Sequence, residues 1–490
     1  MNAHAHPSLS ELIRDRVAEI AAFEPEEITD QALVFDDLGL DSIMLMDLFA
    51  TLAQEYPELK NASPAEAGWQ EDRTYGDLVG LVHRLAGVVP AHRTTSERRR
   101  LSDIALVRGF LDDLAPEAAD AYFQVHAGVA GGTITVDGRE LLNFSSYNYL
   151  GTNGDRRITE AVRDAVSTYG TSVSAARIIG GEIPLHRELE DEIAAFLGVD
   201  DAVVQVGGHS TNVNVISHLM GPGDLILHDA LAHNSIVQGA LASGAQRKPF
   251  RHNDARTLDR ELTRVAGRFD SVLVVVEGVY SMDGDMADLP ALVDVVERHG
   301  AFLMVDEAHS LGTVGEGGRG ICAATGVDPR RIDILMGTLS KSLNSCGGYV
   351  AGDADLVRYL RYQLPGFLFS VGLSPSNTAA ALESLRMLRE HPEWAAQLGS
   401  RADMIRDGLK DLGVDVGLSD ATPVVPWIVG DSAEARRLSR GLAEAGVHVA
   451  PITYPAVAER EARLRFFVSL AHDEEQIRRA LEAVRGVMAA

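Results

Sequence analysis

The sequence predicts an α/β protein on a parallel sheet, preceded by an all-helical module and followed by a smaller α+β domain. From about 200 to 352 short apolar runs alternate with amphipathic stretches, the pattern of a parallel sheet covered on both faces. Residues 1–90 instead repeat apolar positions at helical spacing with no strand signal, and the region from about 372 mixes helical stretches with two apolar runs.

In the front module, SLSELIRDRVAEIAAF, SIMLMDLFATLAQEY and TYGDLVGLVHRLAG read as helices. Residues 1–90 hold 17 acidic and five basic side chains, so −12 of the chain's net −27 is concentrated there. AHRTTSERRRLSDI, residues 91–104, is basic and polar without apolar periodicity, as a linker is. AVVQV, LILHD, SVLVVVEG, AFLMVDEAH, IDILMG and GGYVAG are the expected strands of the middle segment. TPVVPWIVG and ARLRFFVSL are those of the last, closed by the helix DEEQIRRALEAVRG. The division expected is 8–88, a linker over 89–104, a large domain over 105–371 and a small domain over 372–490.

Composition narrows the function. The 490 residues fit roughly three domains by length. With 46% hydrophobic residues and no run near ~18 apolar residues, a water-soluble protein without a membrane span is expected. The net charge disfavours nucleic acid and anionic membranes. Cys322 and Cys346 fit neither a disulfide framework nor a metal site, and MNAHAHPSLSELIRDR has no apolar signal core; a cytoplasmic location follows as an expectation.

Ligands of parallel sheets sit at the carboxyl ends of the strands. GGHSTN, EGVYSMDGD, DEAHS and TLSK all fall there, so they are expected to converge. Singly, each has a plain explanation: a helix cap for Ser210 and Thr211, a strand-to-helix turn for Asp306 and His309, a solvated side chain for Lys341. Together they supply a phosphate cradle, a carboxylate for a pyridinium nitrogen, a histidine and an amine among small neighbours, the parts of a pyridoxal phosphate site.

Residues 105–490 resemble the α-oxoamine synthases, a family that includes aminooxononanoate synthase, aminolevulinate synthase and serine palmitoyltransferase. NFSSYNYLG, YGTSVSAARIIGGEIPLHRELE, HDALAHNSI, EGVYSMDGD, VDEAHSLG, GTLSKS and RLRFFVS carry the likeness in the family's order. The resemblance implies an aspartate-aminotransferase-like fold of type I and a homodimer with its site at the interface. It implies that Lys341 is the Schiff-base lysine and acid/base, Asp306 the partner of the pyridine nitrogen and His309 that of the ring oxygen. His233 would stack on the cofactor, Gly208, His209 and Thr338 would hold its phosphate, and Ser281 would lie near the ring oxygen. Asn148 and Arg465 would take the amino acid's carboxylate. The chain departs from the pattern at His209, where many members have Phe or Tyr, and at Val371, where many have a threonine that serves the neighbouring subunit.

In front, DDLGLDSIMLMDL sets Asp41 and Ser42 at the start of an apolar helix, where an N-cap is the plain reading. The acidic helical context is similar to acyl carrier proteins, four-helix domains whose motif serine bears 4′-phosphopantetheine; by that likeness Ser42 is the modified residue. The halves then fit one function: condensation of an amino acid with an acyl thioester on the chain's own carrier, giving an α-aminoketone and CO2, in secondary metabolism. A phosphopantetheinyl transferase and an acyl-loading enzyme would be partners. A tether of about 15 residues spans on the order of 50 Å and keeps the thioester near millimolar concentration. The alternatives are an α-oxoamine synthase using free acyl-CoA, an aminotransferase, a non-catalytic partner subunit and a scaffold that binds carriers.

Overall fold

Three α-helices make up the front segment among the described residues: α1 (Leu9–Ala21), α2 (Ser42–Glu55) and α3 (Tyr75–Ala86). In this computed structural model, residues 9–21, 23–34, 37–40, 42–56, 59, 73–86, 100–103, 107–108, 111, 122–454 and 456–489 are described. Asp41, the stretch 60–72 and most of the expected linker lie outside them. Ile13, Val17 and Ala21 of α1 recur every fourth residue and bury against Leu48 and Leu52 of α2 and Leu78 and Val82 of α3. Each such side chain contributes on the order of 1.5–3 kcal/mol, enough to hold short helices that would fray alone.

After the front segment comes a small sheet that the sequence reading did not contain. Strands β1 (His126–Ala127), β2 (Thr133–Val136) and β3 (Arg139–Asn143) pair antiparallel. Asp137 and Gly138 turn the β2–β3 hairpin with φ of 50° and 75°, the left-handed pair that tight hairpins favour.

The large sheet contains β4 (Asp201–Gln205), β5 (Leu225–Asp229), β6 (Gln246–Phe250), β7 (Val272–Glu277), β8 (Phe302–Asp306), β9 (Ile334–Thr338) and β10 (Gly348–Gly352). Its order is β4-β10-β9-β8-β7-β5-β6, and β5 to β9 are parallel as expected. Strand β10 is the exception and runs antiparallel to β4 and β9. The link 339–347 is shorter than the dozen or so residues a parallel crossover needs, so the chain reverses instead. Lys341 lies in that reversal.

The last segment holds β11 (Val424–Ile428), β12 (Val447–His448), β13 (Pro451–Ile452) and β14 (Arg463–Phe467). Strands β11, β14 and β13 form an antiparallel sheet, while β12 joins β3 in parallel. Leu142, Phe144 and Tyr149 consequently bury in the same core as Leu464 and Phe466. That union carries the SSYNYLG segment to the mouth of the large sheet. Among the described residues no helix is long and apolar enough to cross a membrane.

Candidate active site

Strands β7, β8 and β9 lie in register, with Glu277 opposite Asp306 and Asp306 opposite Met336. Their carboxyl ends therefore align Glu277, Asp306 and Thr338 along one rim. Asp306 is buried, and both its oxygens are engaged: Asn212 donates to Oδ2 at 2.7 Å and the Ala308 N–H to Oδ1 at 2.8 Å. Those bonds stabilise the charged carboxylate and fix its plane.

His309 is buried three residues on. The Tyr149 hydroxyl meets its Nδ1 at 2.8 Å. Burial pushes the Tyr149 phenol far above its ordinary value, and burial, with Lys341, Arg465 and His233 nearby, holds His309 well below its own. His233 caps the helix Asn234–Ser243: its Nδ1 lies 2.7 Å from Ser235 Oγ, and its backbone N–H donates to Glu277 at 2.6 Å. Withdrawal from water lowers its pKa; Asp306 opposes that, while Lys341, His209 and Arg465 add to it. The His209 and His233 rings stand T-shaped with centres 6.1 Å apart, and both line one cavity with His309.

The Lys341 amine stands 5.5 Å from the centre of the Tyr147 ring. Burial brings its pKa down to about 8, against the pull of Asp306 and Glu277, and Arg465 adds to the fall. An appreciable fraction is thus free amine near neutral pH.

Gly208 opens the helix Gly208–Leu219, and a Cβ there would lie 2.7 Å from Thr338 Oγ1. Only glycine lets that helix N-terminus close on Thr338, whose hydroxyl also bonds the Gly347 carbonyl at 3.0 Å and Ser340 at 2.7 Å. Gly208, His209, His233, Asp306, His309, Thr338 and Lys341 line one cavity of about 120 Å³. A second, of about 380 Å³, opens above Lys341 between Tyr147, Asn148 and His448.

Arg465 reaches the group from β14. Its Nη1 bonds the Ser281 carbonyl at 2.5 Å and its guanidinium lies 4.4 Å from the centre of the Phe467 ring. Its Nε is buried with no partner among the described residues, an unspent donor. Asn148 lines the outer cavity, but its amide is committed: Nδ2 to the Ala130 carbonyl at 3.1 Å, Oδ1 to the Asn153 N–H at 3.3 Å. Ser281 is buried and meets this group through its carbonyl.

These residues fit pyridoxal phosphate. A helix N-terminus open to an anion faces Thr338, a carboxylate fixed by two donors stands at a strand end, and an amine with lowered pKa lines the same cavity. Glu277, Tyr149 and Asn212 are parts the sequence reading missed, although all three lie inside motifs it quoted. Burial and the neighbouring Asp306 push the Glu277 carboxyl well up.

Comparison with known proteins agrees. Residues 139–484 match the family model "Aminotransferase class I and II", and residues 11–82 match "Phosphopantetheine attachment site". The 8-amino-7-oxononanoate synthase of Fervidobacterium nodosum is 38% identical over 355 residues, 72% of this chain and 89% of the relative. The serine palmitoyltransferase of Sphingobacterium spiritivorum is 34% identical over 372 residues, 76% of this chain and 92% of the relative. The chain belongs to the α-oxoamine synthase family. Among solved structures, Sphingomonas wittichii serine palmitoyltransferase has a TM-score of 0.76 at 32% identity, covering 80% of this chain and 98% of its own. This α-oxoamine synthase is a pyridoxal phosphate-dependent acyltransferase of fold type I with a phosphopantetheine attachment domain. In this synthase Ser42 is the first residue of α2 and Val371 is half exposed.

Proposed function

We propose that the enzyme condenses an amino acid with an acyl thioester and releases CO2 and the thiol, leaving an α-aminoketone. The observation that carries this is that Lys341, Asp306 and His309 line one cavity, with Arg465 near enough for its charge to act on both Lys341 and His309. Bound pyridoxal phosphate supplies an aldehyde for the amine and a ring that accepts the electron pair freed at the adjacent carbon. In the loaded enzyme Asp306 would pair with the ring nitrogen, His309 and Ser281 would serve the ring oxygen, His233 would lie against the ring, and Gly208, His209 and Thr338 would hold the phosphate. Arg465 takes the amino acid's carboxylate by a charge-assisted contact, with Asn148 at the mouth. Lys341, freed as a neutral amine, removes the α-proton, and His233 polarises the thioester carbonyl.

The thioester is carried on the arm at Ser42, because a phosphopantetheine attachment segment precedes the catalytic part in the same chain. In this reading residues 8–88 are a four-helix carrier domain, 89–104 its linker, 105–371 the cofactor domain and 372–490 the small domain. The protein is a cytoplasmic homodimer of secondary metabolism, served by a phosphopantetheinyl transferase and an acyl-loading enzyme. One observation favours a second reading, free acyl-CoA as donor. A Thermoanaerobacter pseudethanolicus 8-amino-7-oxononanoate synthase aligned over 98% of its length covers only 79% of this chain, so that relative manages without a front segment. A Ser42→Ala variant decides between them. If the variant no longer releases CO2 under the conditions that load wild type and acyl-CoA does not restore it, the carrier is supported; full activity with acyl-CoA supports the second reading. Lys341→Ala should abolish both.

A further inference from the structure

The acidic front segment rests on a basic edge of the large sheet. Strand β6, QRKPF, is the last strand of that sheet, and its free side faces the end of α1. The Gln246 side-chain amide donates to the Glu19 carbonyl at 2.9 Å. Phe23, just after α1, lies under two cations, with the Arg264 guanidinium 3.9 Å and the Lys248 amine 4.7 Å from its ring centre. Two carboxylates flank it: Glu27 pairs with Arg264 at 3.1 Å and Glu24 with Arg268 at 3.2 Å. Glu24 and Glu27 are themselves set by the turn Pro25–Glu27, where the Glu24 N–H donates to the Glu27 carboxylate at 2.9 Å. An aromatic ring clamped by cations and ringed by matched ion pairs is a recognition surface rather than a chance approach.

None of these contacts uses α2. Met46 on α2 is 61% exposed, and Asp47 and Ala50 are exposed beside it.

We propose that the β6 edge, with Lys248, Arg264 and Arg268, is a dedicated docking surface for the carrier segment of this chain. The segment engages it through Phe23, Glu24 and Glu27 and through no residue of α2, so that Ser42 is loaded while the segment stays docked. This goes beyond the condensation proposed above and does not depend on which thioester the enzyme uses. The docked segment also covers an edge strand that would otherwise present unpaired backbone groups.

The test is hydrogen exchange on the full-length, cofactor-loaded protein. Wild type should protect both 19–27 and 246–268. An Arg264→Glu/Arg268→Glu variant should lose protection in both stretches while the rest of the map and the cofactor absorbance stay unchanged. Adding Glu24→Arg/Glu27→Arg should restore it, and Phe23→Ala alone should reproduce the loss. Raising the salt should do so too, since these exposed charges are screened within ~10 Å at 0.1 M. Equal exchange in wild type and charge-reversed protein would overturn the docking. The orientation is tested by loading with a phosphopantetheinyl transferase and CoA, followed by intact mass. Equal loading rates for wild type and the Arg264→Glu/Arg268→Glu variant are expected; a many-fold slower wild type would mean that docking covers Ser42.

Discussion

The hydroxyl of Tyr149 lies 2.8 Å from Nδ1 of His309, and the pair is sealed from water. A phenol held far above its ordinary pKa beside a ring held far below its own makes both partners neutral. This is the only hydrogen bond found for that hydroxyl among the described residues, so it donates to Nδ1; otherwise its buried O–H would be left unmade. The proton of His309 then sits on Nε2, the nitrogen that the proposed contact with the cofactor's ring oxygen would use. Tyr149→Phe should lower kcat about tenfold, the equivalent of one hydrogen bond of roughly 1.4 kcal/mol, with little change in KM. The loaded protein's long-wavelength absorbance should shrink in favour of the shorter band. If both stay as in wild type, Tyr149 only fills space.

Lys341 offers a second check. Its pKa of about 8 is set first by burial, which disfavours the ammonium. Below that value the amine is protonated and cannot attack an aldehyde; above it the amine is free. The rate at which cofactor-free protein takes up pyridoxal phosphate, followed by absorbance, should climb with pH through about 8 and then level off. A profile still climbing to pH 10 would mean that the lysine titrates as if in water.

Much of this site can be read from the sequence because its residues follow apolar runs. Asp306, Glu277 and Thr338 end strands, and strands of a parallel sheet share a carboxyl edge. The partners of those residues are less visible. Tyr149 meets His309 across 160 residues and Asn212 meets Asp306 across 94, distances no local pattern encodes. Strand β6 escaped notice because QRKPF carries two cations and a proline, features of an edge rather than of a buried strand. The β2–β3 hairpin had a local signal, Asp137–Gly138 between alternating apolar residues, that went unused. The reversal at β10 follows from loop length alone.

His252 ties the loop bearing His233 to the rest of the large sheet. Its two ring nitrogens meet Asp229 at 2.8 Å and Asp285 at 3.0 Å, and the Tyr280 hydroxyl donates to Asp229 at 2.8 Å. Burial opposes a charge on His252, but hydrogen bonds with the two carboxylates outweigh it and raise the pKa to about 10. The stability from this charge is complete below about 6.5, the unfolded value, and is lost as pH rises to about 10. Scaled to 490 residues, Tm moves roughly 1 °C per kcal/mol, so it should fall by about 5 °C more in wild type than in His252→Gln over that interval. Parallel curves for the two proteins would mean that the ring is not charged in the fold.

Arg465 holds a buried Nε without a partner among the described residues, while Nη1 is fastened to the Ser281 carbonyl at 2.5 Å. Leaving such a donor unmade costs on the order of 1–3 kcal/mol, a cost an arriving carboxylate removes. The anchored guanidinium is therefore already oriented, and binding the amino acid needs no rearrangement of the side chain. Lysine cannot reproduce this, because its single ammonium has no second arm to remain anchored. Arg465→Lys should raise KM for the amino acid by about 10- to 100-fold, from the loss of roughly 1.4–2.8 kcal/mol of ground-state contact. KM for the acyl donor should stay close to wild type. The two substrates thus separate the possibilities: a rise confined to the amino acid places its carboxylate on Arg465, whereas an equal rise for both would assign the residue to the shape of the pocket.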